Sequence, residues 1–385
     1  MYKIMFSAGE ASGDLHGASL AAALRKIEPN IEMVGFGGTM MENAGVKLIA
    51  NMTEYSVMGF YEVIINLYRL IKLRNKLVDY MKKEKPDILV LIDYPDFNWR
   101  LAPVAKKLGI PVFSYIPPSA WAWRKGRAKQ VAKTADQIAV IFPFETAVYE
   151  QAGANIKFVG NPLIDTVKPS LDKESAARCF SIDTLKTNIL LLPGSRRQEI
   201  TAIFPVMLAT AVLFKEKYSS ICFHVAVAQG IKIEELQKIA AEYDVVINYH
   251  KDKIYDLMSC CDIGLATSGT VILEAALMGL PTVVLYRMSK LTYHIAKMFV
   301  DVKFFSLPNI LLKERVMPEL LQEQVNPENV FKSTQTLLND NEQYVKSKLK
   351  TVRAKLGSPG VAERTARLII ATADKKINPM NRNNA

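Results

Sequence analysis

Residues 261–287 read CDIGLATSGTVILEAALMGLPTVVLYR, two short apolar runs at 262–266 and 282–286 with a helical pattern between them. Strands that are apolar throughout, rather than alternating, are buried on both faces and belong to parallel sheets covered by helices. The same rhythm extends outward. Upstream in the second half, strands are expected at 188–193, 221–227 and 244–248. In the first half they are expected at 2–7, 31–36, 46–50, 88–92, 111–116, 137–142 and 156–159, with helices between most of them. Two such series predict an α/β chain of two Rossmann-like domains. The seam falls at 159–170, where Gly160, Pro162 and Pro169 interrupt regular structure. The expected division is a first domain over 1–165 and a second over 166–357. A C-terminal helix follows over 358–374, with the option of crossing back to the first domain, and then a disordered polar tail over 375–385.

The chain has 385 residues, half of them hydrophobic and 23% charged, which excludes a disordered protein and suits two cores. A formal charge of +11 points to an anionic partner: nucleic acid, acidic lipid or a phosphorylated substrate. The four cysteines, Cys179, Cys222, Cys260 and Cys261, have no C-x-x-C spacing and the four histidines are scattered. Neither a disulfide framework nor a metal site is expected, which fits a cytoplasmic location. No basic segment followed by a long apolar run opens the chain, and no run approaches eighteen apolar residues, so neither secretion nor membrane spanning is expected.

In open α/β sheets ligands bind beyond the C-terminal ends of strands, so four turns matter most. In LLLPGSRRQEI the strand enters Gly194 and Ser195, and backbone N–H groups converge with the guanidinium of Arg196, suited to phosphate oxygens; a Ser-capped helix with solvated arginines is the plain alternative. In the opening stretch, Ser268, Gly269 and Thr270 free helix amides for an anion. Glu274 sits in the apolar run 271–277, where a capping box from Thr270 would need the glutamate at 273; a ligand hydroxyl pair such as a ribose is a natural partner, solvent exposure the alternative. Asp96 follows Asp93 and Pro95 at a strand end, as a base or as an N-cap. The N-terminal turn SAGEASGD carries Glu10 and Asp14, carboxylates that oppose a bound phosphate and suit a hydroxyl-bearing substrate, with Asp14 better explained by its helix N-terminus.

The segment 57–85 is almost wholly apolar in its first half (Val57, Met58, Phe60, Val63, Ile64, Leu67, Leu70) and basic in its second, beginning at Arg69 and Lys72. It matches a helix that enters a headgroup region and equally a core helix with a basic face.

Together SAGEASGDLHGA, SVMGFYEV, IDYPDFNWRLA, PPSAWAWRKGR, LLPGSRRQEI, TSGTVILEAALMGLPTVVLYR and LPNIL, in this order from residue 7 to about 325, resemble the lipid-A-disaccharide synthases. The resemblance implies a GT-B fold, two Rossmann-like domains whose parallel sheets face a central cleft, with the UDP donor on the second domain and the acceptor on the first. It implies an inverting transfer from UDP-2,3-diacylglucosamine to 2,3-diacylglucosamine 1-phosphate without cofactor or metal. It places the general base on Asp96, with Glu10 as a substrate-orienting residue or alternative base, the diphosphate arginine on Arg196 and the ribose carboxylate on Glu274. Asn309 and Arg287 are placed near the nucleotide. Acylated substrates turn 57–85 toward an anionic membrane surface, peripheral to the inner membrane, and family members can form homodimers. No nucleic-acid motif is present.

Other UDP-sugar enzymes of the same fold, such as a UDP-N-acetylglucosamine 2-epimerase or the transferase that makes lipid II, would share the Ser-Gly turn and its glutamate. The lipid II enzyme would need a glycine-and-histidine first turn, and neither accounts for SAGEASGD and PPSAWAWR together. A nicotinamide enzyme is disfavoured because no G-x-G-x-x-G follows the first strand.

Overall fold

The computed structural model describes residues 1–55, 62–118, 126–288, 293, 303–339 and 341–377; for 62–67, 376 and 377 it describes the backbone alone. The chain divides into two compact units, Met1–Pro162 with Leu356–Ala385, and Leu163–Lys355.

Unit 1 holds strands β1 (Lys3–Ala8), β2 (Glu32–Gly37), β3 (Lys47–Asn51), β4 (Ile88–Ile92), β5 (Val112–Tyr115), β6 (Gln137–Val140) and β7 (Ile156–Phe158). They form one parallel sheet in the order β3-β2-β1-β4-β5-β6-β7. Its helices are α1 (Ala11–Ile27), α2 (Thr39–Asn43), α3 (Glu62–Glu84), α4 (Pro95–Lys107), α5 (Gly126–Thr134) and α6 (Pro143–Gln151). The two-residue period of a strand splits each run between the faces. Ile4 and Phe6 of β1 and Ile88 and Val90 of β4 meet Leu20 and Leu24 of α1 on one face. Met5, Leu89 and Leu91 meet Leu73, Leu77 and Met81 of α3 on the other. The terminal helix Val361–Ile377 completes the first face with Val361, Ala366, Ile369 and Ala373, packed on α1. It runs past residue 374, so the tail expected from 375 begins inside a helix, and 378–385 lie outside the described residues.

Unit 2 begins with α7 (Leu163–Thr166) and α8 (Lys173–Phe180). Its sheet comprises β8 (Thr187–Leu192), β9 (Ile221–Ala226), β10 (Ile247–His250), β11 (Ile263–Thr267), β12 (Thr282–Tyr286) and β13 (Glu319–Leu321), parallel throughout in the order β10-β9-β8-β11-β12-β13. Helices α9 (Arg197–Lys217), α10 (Ile233–Ala240), α11 (Ile254–Cys260) and α12 (Thr270–Leu277) connect the first strands. By length and composition α9 is apolar enough to cross a membrane. Its Ile203, Phe204, Met207, Leu208, Ala211 and Phe214 are instead buried in the unit, which makes it a core helix.

Strand order reverses between β1 and β4 in unit 1 and between β8 and β11 in unit 2. Neighbouring loops diverge at such points and leave a crevice at the carboxyl ends of the strands. The four turns singled out in the sequence follow these four strands.

Candidate active site

In unit 2, Gly194, Ser195, Arg196, Ser268, Gly269 and Thr270 line one pocket of about 300 Å³ at the β8/β11 switch point. Gly194 is required by its backbone: its φ is +110°, a conformation in which any other side chain is strained. The helix cap is neither Ser195 nor Thr270. Arg196 caps α9 and Gly269 caps α12, which leaves both hydroxyl residues to face the pocket. Thr267, at the end of β11, is 3% exposed, lines the same pocket, and its Oγ1 has no hydrogen-bond partner among the described residues. Buried polar atoms without partners are rare in folded proteins, and one in a pocket wall marks where a ligand atom completes the pairing.

The donors that the sequence offers to an anion at this turn are already engaged. Glu199 accepts from the backbone N–H groups of Ser195 (3.3 Å) and Arg196 (3.4 Å) and from the Arg196 guanidinium (2.9 Å). A phosphate placed at this turn would have to displace it. Glu199→Gln removes the competing charge, and at this exposed site the gain is expected to be about two- to fivefold in UDP affinity by calorimetry. Weaker binding would mean that the carboxylate serves only the helix N-terminus.

Glu274 lies one turn beyond Thr270 on α12, half-buried, and burial raises its carboxyl pKa. It does not itself line the pocket. Arg287 and Asn309 do not either, and their polar atoms are committed elsewhere. The Arg287 guanidinium donates to the carbonyls of Gln322, Ala202 and Val325. The fully buried Asn309 amide donates to Met317 O and Glu319 Oε1 and accepts from Val316 N and Met317 N. Both side chains hold the segments around β13 together, whereas the resemblance implies a place near the nucleotide.

In unit 1 the acids lie at the β1/β4 switch point. Asp93 and Tyr94 follow β4 with φ of +46° and +49°, two left-handed residues in succession, and Pro95 then starts α4. Non-glycine residues hold this conformation only where surroundings enforce it. Asn98 supplies the enforcement: its buried amide donates to the carbonyls of Asp93, Ile92 and Ser7 and accepts from Ser7 Oγ at 2.6 Å. The N-cap of α4 is Tyr94, so the capping role open to Asp96 falls away. The Asp96 carboxylate is 85% exposed and accepts from the Arg127 guanidinium at 2.9 Å. Both line a depression of about 190 Å³ with Trp99, whose buried Nε1 is another of the unpartnered donors.

Glu10 caps α1 through its backbone and is exposed. Gly9 before it lies under the Tyr94 ring, where a Cβ would stand 2.2 Å from the ring, so this turn and the Asp93–Asp96 turn are packed together. Asp14 is 4% exposed and accepts from the N–H groups of Gly38, Met40 and Met41. It therefore serves the N-terminus of α2 rather than that of its own helix, and no substrate.

Glu145, unmarked by the sequence pattern, begins α6 beyond the end of β6 and is 3% exposed. Burial pushes its carboxyl up to about 8, against backbone N–H donors that favour the anion. Between the unfolded and folded values the native state holds a proton that the unfolded chain releases, so stability declines as pH rises through that window. Urea unfolding at pH 5.5 and 8.5 should show a fall of a few kcal/mol in the native protein, absent in Glu145→Gln. Equal pH dependence in both would remove the group from that role.

Of the membrane-facing residues named from sequence, Val57, Met58 and Phe60 lie outside the described residues, as do the side chains of Val63, Ile64 and Leu67 and most of the PPSAWAWRKGR stretch. Arg69 and Lys72 are exposed beside Tyr68 (69% exposed) and Ile71 (45%), and Leu70 is half-buried.

A family model described as Lipid-A-disaccharide synthetase matches residues 4–371. A curated lipid-A-disaccharide synthase of Geobacter metallireducens is 39% identical over 376 residues, 97% of this chain and 98% of its own length. One from Syntrophus aciditrophicus is 40% identical over 375 residues, 97% and 98% of the two chains. Among solved structures, the S. aureus MnaA–UDP complex aligns with a TM-score of 0.63 at 16% identity, covering 97% of each chain. Acinetobacter baumannii MurG aligns with a TM-score of 0.61 at 15% identity, covering 96% of this chain and 99% of its own. At such identities these structures share the fold.

Proposed function

The chain belongs to the lipid-A-disaccharide synthase family, and from that membership we propose how its residues divide the work. It is a UDP-sugar-dependent glycosyltransferase of lipid A disaccharide synthesis, moving 2,3-diacylglucosamine from UDP-2,3-diacylglucosamine to the 6-hydroxyl of 2,3-diacylglucosamine 1-phosphate. The observation that carries the donor assignment is the unit 2 pocket, where six residues of two turns and the orphaned Thr267 hydroxyl converge. Ser195 and Arg196 with the Ser268–Gly269–Thr270 amides receive the diphosphate, and Glu274, on the Thr270 face of α12, receives the ribose hydroxyls.

On unit 1, Asp96 takes the proton of the acceptor hydroxyl as its oxygen bonds to the anomeric carbon. The bond from that carbon to the diphosphate oxygen breaks, and its electron pair leaves with UDP. Attack opposite the leaving group inverts the anomeric centre. Arg127 holds the Asp96 carboxylate in place, and Glu10 orients the acceptor. Arg196 and the amides stabilise the charge that grows on UDP, work that preorganised donors do without reorganisation. Arg287 and Asn309 act by holding the scaffold of unit 2.

The deciding experiment measures UDP release from the purified, detergent-dispersed protein with donor alone and with donor plus acceptor, EDTA present in both. Acceptor-dependent UDP and a disaccharide product are expected. Acceptor-independent release of UDP with an isomerised sugar would move the chain to the epimerase chemistry found on this fold.

For the membrane, we propose that the exposed Tyr68–Lys72 surface of α3 touches anionic lipid, the aromatic and aliphatic groups entering the headgroup layer. At about 1 kcal/mol per basic residue, reversing Arg69 and Lys72 to glutamate should lower sedimentation with phosphatidylglycerol vesicles by roughly tenfold or more. Unchanged sedimentation would place the contact elsewhere. The homodimer implied by the family is tested by sedimentation equilibrium.

A further inference from the structure

Three side chains form a continuous chain across one face of the unit 2 sheet and end at its pocket. Asn188 of β8 and His224 of β9 are buried to within 2%. His224 Nε2 lies 3.0 Å from Asn188 Oδ1, and His224 Nδ1 lies 3.2 Å from Nε2 of His250 on β10. His250 lines the same pocket as Arg196 and Thr270, and its ring is wedged edge-on against Phe180.

The hydrogens along this chain are dictated from its far end. The Asn188 NH₂ donates to the carbonyls of Asp183 (3.0 Å) and Lys186 (2.8 Å), which fixes Oδ1 toward His224. An amide oxygen only accepts, so His224 carries its proton on Nε2. Burial and the neighbouring His250 hold the His224 pKa down to about 4, and burial lowers that of His250, so both rings are neutral at pH 7. A neutral His224 then has a bare Nδ1, which can only accept, and His250 must donate from Nε2. The remaining ring nitrogen of His250, Nδ1, is left as an acceptor with no partner among the described residues.

We propose that His250 reads the donor's base, accepting the N3–H of uracil at Nδ1, and that His224 and Asn188 are positioning residues that fix its tautomer. This rests on the nucleotide assignment of the pocket and extends it to base selection. Uracil presents an imide N–H at N3, whereas cytosine presents a bare nitrogen there, so a fixed acceptor favours the first and repels the second. A histidine free to change tautomer would serve either base.

The test compares UDP and CDP binding by calorimetry in the native protein, His250→Phe and His224→Phe, with long-range ¹H–¹⁵N correlation of the histidine rings of the native protein. The native protein is expected to prefer UDP by about 10- to 100-fold, the range set by leaving a buried polar group unpaired. His250→Phe keeps the contact with Phe180 and should reduce the preference to about threefold or less. His224→Phe releases the tautomer and should reduce it in part. The spectrum should show His224 and His250 both protonated at Nε2. A His250 proton at Nδ1, or a preference that survives both substitutions, overturns the proposal. Equal binding of UDP and CDP to the native protein overturns it and leaves the nucleotide site standing, whereas binding of neither removes the nucleotide site as well.

Discussion

Asp96→Asn is expected to lower kcat by about 10²- to 10⁴-fold, the usual worth of a positioned general base. The substitution keeps size, the helix position behind Pro95 and an oxygen for Arg127, so the fold has no reason to change. The loss should appear in acceptor-dependent UDP release, with donor KM and melting temperature close to those of the native protein. Activity within about tenfold of native would exclude Asp96 as the proton acceptor, and Glu10 would be next to replace. Asp93 is a poorer candidate. Burial raises its carboxyl pKa and it lies within the turn that Asn98 pins, so its substitution disturbs the fold together with the chemistry.

Arg196→Ala is expected to cost about 10²- to 10³-fold in kcat/KM, comparable to removing one preorganised donor to a developing anion. Part should appear as weaker UDP binding and part in kcat, because the diphosphate gains charge as the sugar leaves. Arg196→Lys restores the charge without the two-pronged geometry and should recover a fraction of the loss. Equal UDP affinity in native and Arg196→Ala protein would show that the exposed guanidinium, now paired with Glu199, never turns to the ligand.

Both positions were legible in the sequence because parallel strands buried on both faces write themselves as apolar runs, and their ends mark the crevice. Each of the twelve expected strands has a counterpart. The strand expected at 244–248 lies at Ile247–His250, since the apolar cue DVVIN precedes a strand whose remaining residues are polar and bonded across the sheet. β13 was missed because three residues opening with a glutamate carry no pattern; Glu319 is tolerated there by its bonds to Asn309 and Ser306. Side-chain commitments were illegible for a related reason. Whether Arg287 faces a phosphate or three carbonyls, or Asp14 caps its own helix or another, depends on partners distant in sequence. The unpaired Thr267 hydroxyl and the buried Glu145 are likewise properties of packing.

The return of the helix Val361–Ile377 to unit 1 makes unit 2 an insertion within it, and that ordering bears on biosynthesis. The apolar face formed by Ile4, Phe6, Ile88 and Val90 is synthesised early, yet its final cover, which opens at Val361, emerges only after roughly 270 further residues, about 14–54 s at ordinary elongation rates. Unit 2 is continuous and can close while still tethered to the ribosome. Unit 1 meanwhile carries an open hydrophobic surface that invites chaperones, and a nascent chain stalled before residue 361 would hold a finished unit 2 and a unit 1 unable to seal its core.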